Sequence, residues 1–283
     1  MQSEVSDAEK AYIAQGVAQD LRNDGRGCRD LRPVELALDV IAAANGSARL
    51  RAGATDVIAG VKVSLASPEP GAPDKGQVLV SVECSSCASP EFKGRGGEDW
   101  GIDMAAALQS SLRAAMDLGA LCVLSGKTAW RLHVDCLVLN DGGGLLSALS
   151  AAARAALAVT RLPKVEVTMG EGSDDEPEIE LGDDSEGALL DVSALPVIIT
   201  VGQIGSRCVA DLTAEEEPCA AARLHVAVGP GGRVCGSSKA GGGGVPHATL
   251  LEMLEVAQQL GPRLIRELDA FLATAAATAS AGA

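Results

Sequence analysis

Aromatic side chains are nearly missing from this sequence, with two Phe, two Trp and one Tyr in 283 residues. Leucine, valine and alanine must therefore do the packing. Positive charge is also scarce: 23 Lys and Arg stand against 38 Asp and Glu, a net charge of −15. Such a surface repels a polyanion on average, which excludes a free-standing nucleic-acid-binding domain of the usual basic kind. Any contact with nucleic acid must come from a local basic patch or from neighbouring subunits. No uncharged apolar run approaches the roughly 18 residues that a membrane span needs. The longest candidate, 145–153, lies between Asp141 and Arg154, so a soluble protein is expected. The first residues lack the charged-then-apolar pattern of a secretory signal. The eight cysteines are accordingly expected to be reduced thiols of the cytosol or nucleus. Cys84-Ser-Ser-Cys87 has no second pair and no nearby histidine, which makes it a poor zinc site, and it sits at a strand end rather than at a helix start. Packing cysteines are expected there, and no metal or cofactor is called for.

With 47% hydrophobic residues, the chain has ample material for one large domain or two closely packed halves. Ser6-Asp7-Ala8-Glu9 reads as a capping box opening an amphipathic helix that stops at Asn23-Asp24-Gly25. Four arginines (22, 26, 29 and 32) follow in a polar connector. It reads as a solvated loop pairing with the acidic surface, or else as an anchor for a partner subunit. From Val34 to Ser85 the pattern is that of an antiparallel meander, broken at Asn45-Gly46, at Gly53 and in the proline-rich loop 67–76. A helix is expected over Ile102–Met116, with Ile102, Ala105, Leu108 and Leu112 inward. Beyond Pro163 come a strand at 165–169 and an acidic loop at 171–178. Asp174, Asp175 and Glu176 in that loop lack the pattern of a calcium loop. Strands at 197–204 and 207–212, a short helix at Glu215–Pro218 and a hairpin around Gly229–Gly232 lead to a long helix from His247 to about Leu272. Its inner stripe is Leu250, Leu254, Ala257, Leu260, Leu264 and Leu268, and the Ala/Thr-rich tail beyond it is expected to fray. The order gives an α+β chain with mixed sheets and a long C-terminal helix. It divides into a helix and connector (1–30), a first half (31–195), a second half (196–273) and a tail (274–283).

The chain is organised around His133–Arg161. Residues 134–139 suit a strand buried largely on both faces, Asn140-Asp-Gly-Gly-Gly144 must turn, and Leu145–Leu157 continues as a mostly enclosed helix. A strand, a glycine loop and a helix N-terminus in that order form a geometry that can seat a phosphate. Neither G-x-x-x-x-G-K-[ST] nor G-x-G-x-x-G fits, so a nucleotide site built on Gly142–Gly144 is disfavoured.

Six stretches in order resemble the RNase PH-like subunits of the RNA exosome ring. They are R-N-D-G-R-G at 22–27, E-F-K-G-R-G-G at 91–97, H-V-D-C-L-V-L-N-D-G-G-G-L-L-S-A-L-S from His133, R-L-P-K at 161–164, L-P-V-I-I-T-V-G-Q-I-G at 195–205 and V-A-D-L-T-A-E-E-E at 209–217. The resemblance implies the RNase PH fold, of the ribosomal protein S5 domain 2-like type. It also implies a six-membered ring of heterodimers around an RNA channel, cap proteins with S1 or KH domains, and residence in nucleus, nucleolus and cytoplasm. In catalytic members inorganic phosphate attacks the 3′-terminal phosphodiester. It is held there by a loop of the form Asp-Gly-Gly-Thr-Arg or Asp-Ala-Gly-Ser-Arg. Here the loop reads Asp141-Gly142-Gly143-Gly144-Leu145, with Gly144 in place of the hydroxyl and Leu145 in place of the guanidinium. The two aspartates that active members place upstream of the proline matching Pro196 are Ala188 and Ala194 here. The resemblance therefore implies a non-catalytic subunit whose degenerate phosphate loop is Gly143, Gly144 and Leu145, with nothing positive to offer an anion. Lys93, Arg95 and Arg113 match the region from which relatives touch RNA. The alternative is an active phosphorolytic 3′–5′ exoribonuclease using a displaced set such as Asp183, Asp184 and Arg161.

Overall fold

A computed structural model of the chain describes residues 5–89, 92, 95–168, 178–182 and 187–281. The expected capping box is formed: Ser6 and Glu9 satisfy each other's backbone N–H at the start of α1 (Asp7–Ala18). The helix ends five residues before Asn23, so the arginines lie on an irregular connector.

Strands β1 (Val34–Leu38), β2 (Gly46–Ala52), β3 (Thr55–Ala66) and β4 (Gln77–Cys84) follow, then α2 (Arg95–Ala115), β5 (Cys122–Leu124) and β6 (Thr128–Asn140). The first three form the expected meander, but β4 does not join it. β6 inserts between β3 and β4, antiparallel to β3 and parallel to β4, giving the order β1-β2-β3-β6-β4 with β5 on β6. A parallel pair needs a crossover, and α2 provides it. β6 is buried on one face only. Val134, Cys136 and Val138 are buried, while Asp135 is exposed and accepts from the Ser81 hydroxyl on β4. Leu108 and Leu112 of α2 point inward as expected, but Ile102 is 65% exposed. The helix starts at Arg95, seven residues before the expected position, and the face it buries is set by β4 and by the second half.

α3 (Leu145–Val159) packs against β2 and β3 on one side and against the second sheet on the other, which makes it the layer shared by both halves. Arg154, its one charge, is fully buried and reaches Asp269 at 2.6 Å. Short strands β7 (Arg161–Leu162), β8 (Val165–Thr168), β9 (Glu178–Leu181) and β10 (Ala188–Leu189) form two small ribbons, β7 with β10 and β8 with β9. Most of the acidic loop, including Asp174–Glu176, lies outside the described residues.

The second sheet, β12-β11-β13-β14, is antiparallel throughout: β11 (Val197–Ile204), β12 (Arg207–Ala210), β13 (Ala222–Val228) and β14 (Val234–Ala240). α4 (His247–Ala281) covers it through Met253, Val256, Ala257, Leu260, Leu264 and Leu268, and continues helical past Leu272 to Ala281. Met253 and Val256 extend the expected stripe, whose first members Leu250 and Leu254 are only partly buried. α1 crosses to this half, where Ile13 and Val17 pack with Cys28, Ile204, Val209 and Leu212. That crossing carries the arginine connector over the junction between the halves. Among the described residues no helix is long and apolar enough to cross a membrane.

Candidate functional site: a glycine loop closed by its own chain

The loop Asp141–Gly144 leaves β6 and turns into α3 with Gly143 at φ +86° and Gly144 at φ +64°, a region that only glycine enters without strain. Close approach demands glycine here as well. A Cβ on Gly143 would lie 2.4 Å from the Ala214 nitrogen, and one on Gly144 would lie 2.7 Å from Arg32 Nη2 and 2.9 Å from Asp211 Oδ1. The loop is thus shaped to receive residues 211–217, which follow β12. Ala214 N–H donates to the Gly142 carbonyl at 3.0 Å, and Gly144 N–H donates to Glu217 Oε1 at 2.9 Å. Asp141 Oδ1 accepts the Gly143 N–H at 2.9 Å.

A cation does reach the loop, contrary to the expectation that nothing positive stands there. Arg32 Nη1 donates to the Gly142 carbonyl at 3.0 Å and to Thr55 Oγ1 at 3.2 Å, while Nη2 donates to the Gly143 carbonyl at 2.9 Å. Its charge is already matched by Asp211, which accepts Nη2 at 2.6 Å, Nε at 2.9 Å and the Arg32 backbone N–H at 2.8 Å. Arg26 reaches the same carboxylate at 3.0 Å. Burial pushes the Asp211 carboxyl up, but the bonds and charge of Arg32, with Arg26 behind it, hold it below the ordinary carboxylate value. Asp211 holds φ +50°, an uncommon backbone for a residue with a side chain. The neighbouring Arg22 is buried and forks onto Glu216 while donating to the Ala210 and Asp211 carbonyls. The connector is therefore neither a solvated loop nor a free anchor. Arg22, Arg26 and Arg32 fasten it to the second half, and Arg29 makes an exposed pair with Glu252.

Leu145 does not face the loop's mouth. It is 5% exposed and belongs to the main core. Behind Gly144 is a cavity of about 30 Å³ lined by Arg32, Ser147, Thr200 and Asp211 among apolar residues, with room for a water. The open basin beside the loop, about 530 Å³, presents Glu35, Asp56 and Arg51, and Arg51 is paired with Asp56 at 2.9 Å. Neither space offers an unmatched cation.

Ala188 lies on β10, opposite Leu162, and Ala194 precedes β11; neither brings a carboxyl to the loop. Asp183, Asp184 and Lys93 lie outside the described residues. Arg161 is exposed and donates to the Gly187 carbonyl at 3.1 Å. Arg95 opens α2, with its side chain outside the description, and Arg113 closes it, so the two are about 27 Å apart along the axis. Arg113 pairs with Glu69 at 3.1 Å on the surface. Of the C-x-x-C cysteines, Cys84 is half-buried, with burial pushing its thiol up to about 11, while Cys87 is exposed rather than packed. Among the described residues no His/Cys/Asp/Glu cluster could hold a metal ion.

A hydroxyl chain ties α3 to the second sheet near this site. Ser147 Oγ donates to Thr200 Oγ1 at 3.1 Å, and Thr200 Oγ1 pairs with His225 Nδ1 at 2.9 Å. Burial, with Arg223 adding repulsion, pulls the His225 pKa from 6.5 down to about 4. The folded state then binds fewer protons than the unfolded chain between these values, so stability falls as pH drops from 6.5 towards 4. The upper bound is roughly 3 kcal/mol. His225→Asn keeps a hydrogen-bonding group near the Nδ1 position without titrating. Urea unfolding at neutral pH and near pH 4.5 is expected to show wild type losing about 2 kcal/mol more than the variant.

The fold and the loop define a two-domain 3′ exoribonuclease architecture, and comparison agrees. Residues 30–163 match domain 1 and residues 194–259 match domain 2 of the 3′ exoribonuclease family, RNase PH. The chain belongs to this family. It is similar to a putative exosome complex exonuclease RRP42 of Dictyostelium discoideum, at 30% identity over 94% of this chain and 97% of that protein. It is also similar to the exosome complex component Rrp42 of Methanosarcina acetivorans, at 32% identity over 92% and 93% of the two chains. Among solved structures, a chain of the Archaeoglobus fulgidus exosome with RNA bound to the active site superposes with a TM-score of 0.79. The identity is 30%, over 92% of this chain and 98% of that one.

Proposed function

We propose that this chain is a non-catalytic subunit of an exosome core ring, paired with RNase PH-type paralogues, whose role is to build the wall of the channel that guides RNA to 3′–5′ processing and degradation. The observation that carries the reading is that two loop N–H donors a phosphate would use are already engaged, Gly144's by Glu217 and Gly143's by Asp141, and that the guanidinium at the loop, that of Arg32, is matched by Asp211. The alanines at 188 and 194 leave no proton donor at the positions where active members carry aspartates. Relatives named as exosome components over almost their whole length support the ring assignment. Cap proteins with S1 or KH domains, and residence in nucleus, nucleolus and cytoplasm, belong to the same proposal.

The test has two arms. Native mass and subunit composition of the complex purified with this chain are expected to give a six-membered ring with paralogues; a stable monomer contradicts it. The isolated chain, given single-stranded RNA and phosphate, is expected to release no nucleoside diphosphate. Release would favour the second reading, an active phosphorolytic exoribonuclease, for which the name of the Dictyostelium relative speaks.

Lys93, Arg95 and Arg113 are proposed to meet RNA, with Arg95 and Arg113 near the two ends of α2. Arg113→Ala removes an exposed ion pair and is expected to change stability by less than about 0.5 kcal/mol. It is expected to weaken RNA retention by the ring several-fold at low salt; unchanged retention removes Arg113 from the RNA path.

A further inference from the structure

Away from residues 141–145, a cleft of about 190 Å³ lies where α2 meets the β13–β14 edge of the second sheet. Register sets Ser238 opposite His225 and Gly236 opposite Ala227, and these alternate positions share the face that lines the cleft. Ser110 and Ser111 of α2 line it from the other half. The His225 ring is oriented by Thr200, which is bonded in turn by Ser147. That contact uses Nδ1; among the described residues Nε2 has no hydrogen-bond partner. The Ser111 hydroxyl donates to the Leu108 carbonyl at 2.8 Å and keeps its lone pairs for another donor. None of these groups serves the glycine loop.

We propose that this cleft takes a neutral nucleobase, with His225 and the serines hydrogen-bonding its edge and Ala107, Ile198 and Ala227 against its faces. The first reason is charge. Among the described residues no Asp, Glu, Lys or Arg lines the cleft, and burial, with repulsion from Arg223, keeps the imidazole neutral down to about pH 4. A phosphate or a simple cation would enter with its charge unmatched. The second reason is the division of the walls into apolar patches and a polar line. A nucleobase has apolar faces and an edge of donors and acceptors, whereas a polyol carries hydroxyls all round. Serine hydroxyls both donate and accept, and the free ring nitrogen adds one fixed point to that edge. No aromatic ring lines the cleft to stack on, so binding is expected to be weak. The base can come from a free nucleoside or from an unpaired residue of RNA, and its chemistry is the same in both. The inference goes beyond the ring assignment and leans on it only where RNA is the source.

The chain has three histidines, so the ring resonances of His225 can be followed separately by NMR. At neutral pH, uridine or adenosine added to the full chain is expected to shift His225 saturably and to leave His133 and His247 unmoved. Ribose and inorganic phosphate are expected to shift none of the three. A Cβ at Gly236 would meet nothing within 4 Å, so Gly236→Val fits the strand and fills the cleft. It is expected to weaken nucleoside binding at least tenfold. Should it fail to fold, Ser110→Leu on the exposed α2 side takes its place with the same expected loss. Single-stranded oligouridylate separates the two sources. A response at a tenfold lower concentration of bases than uridine needs marks RNA as the source, and any smaller effect marks the free nucleoside. No saturable shift with any of these probes, or binding that survives the filled cleft, overturns the inference. So does an assembled ring in which a neighbouring subunit fills the cleft. Such a failure leaves the ring assignment standing, whereas phosphorolysis by wild type would remove the non-catalytic reading without touching nucleoside binding at His225.

Discussion

Arg32→Ala is expected to lower the unfolding free energy by about 3–5 kcal/mol, among the largest losses available to a single substitution in this chain. The guanidinium makes five side-chain bonds, two to Asp211, one each to the Gly142 and Gly143 carbonyls and one to Thr55. Truncation strands Asp211 in a largely buried position, while the Gly142 and Gly143 carbonyls keep the Ala214 N–H and the Thr55 hydroxyl as donors. Arg26, at 3.0 Å from Asp211, tempers the loss without replacing the fork. Arg32→Lys keeps the charge but not the planar pair of donors, and is expected to recover less than half of it. Urea unfolding near neutral pH measures both, and a loss below about 1 kcal/mol for alanine would show that the clamp is ornamental. Asp211 adds a pH signature. Its folded value is depressed, so its contribution is present above the ordinary aspartate range and is lost as pH falls through the folded value.

Rebuilding the family's phosphate loop with Gly144→Ser and Leu145→Arg is expected to cost about 4 kcal/mol or more and to create no phosphorolytic activity. Leu145 is enclosed in the core, so an arginine there must bury an unpaired charge or break the start of α3. Serine at 144 must hold φ +64° with its Cβ 2.7 Å from Arg32 Nη2. Serine at 144 would also still have its backbone N–H held by Glu217. Thermal unfolding and nucleoside diphosphate release read the outcome. A variant as stable as wild type that also cleaves RNA would mean that the loop is empty rather than locked.

The parts of this architecture that were legible in the sequence are those fixed by near neighbours. The Ser6/Glu9 box, the alternation in β1–β3, the hairpin at Gly229–Gly232 and much of the inner stripe of α4 depend on residues a few positions apart. The insertion of β6 between β3 and β4 was not legible, because a parallel pairing of residues 77–84 with 131–138 leaves no mark on either strand's alternation. Ile102 was misplaced for a related reason: helical spacing gives a periodicity, but only the packing partner chooses the buried face. At the site, the glycine loop could be found from Asp141–Gly144 alone, yet what closes it could not. Arg22 and Arg32 read as surface charges until their partners Glu216 and Asp211 are brought 194 and 179 residues across the chain. The one available hint was three successive acids, Glu215–Glu217, beside an apolar strand, opposite an arginine connector of matching charge.

The most direct test of the account is a crystal structure of the wild-type chain grown at high phosphate concentration. The account requires Glu217 to remain on the Gly144 N–H, Arg32 to remain on Asp211, and no phosphate at the start of α3. Phosphate bound between Gly144 and Arg223 with Glu217 displaced, or held by Arg32 with Asp211 released, would contradict it.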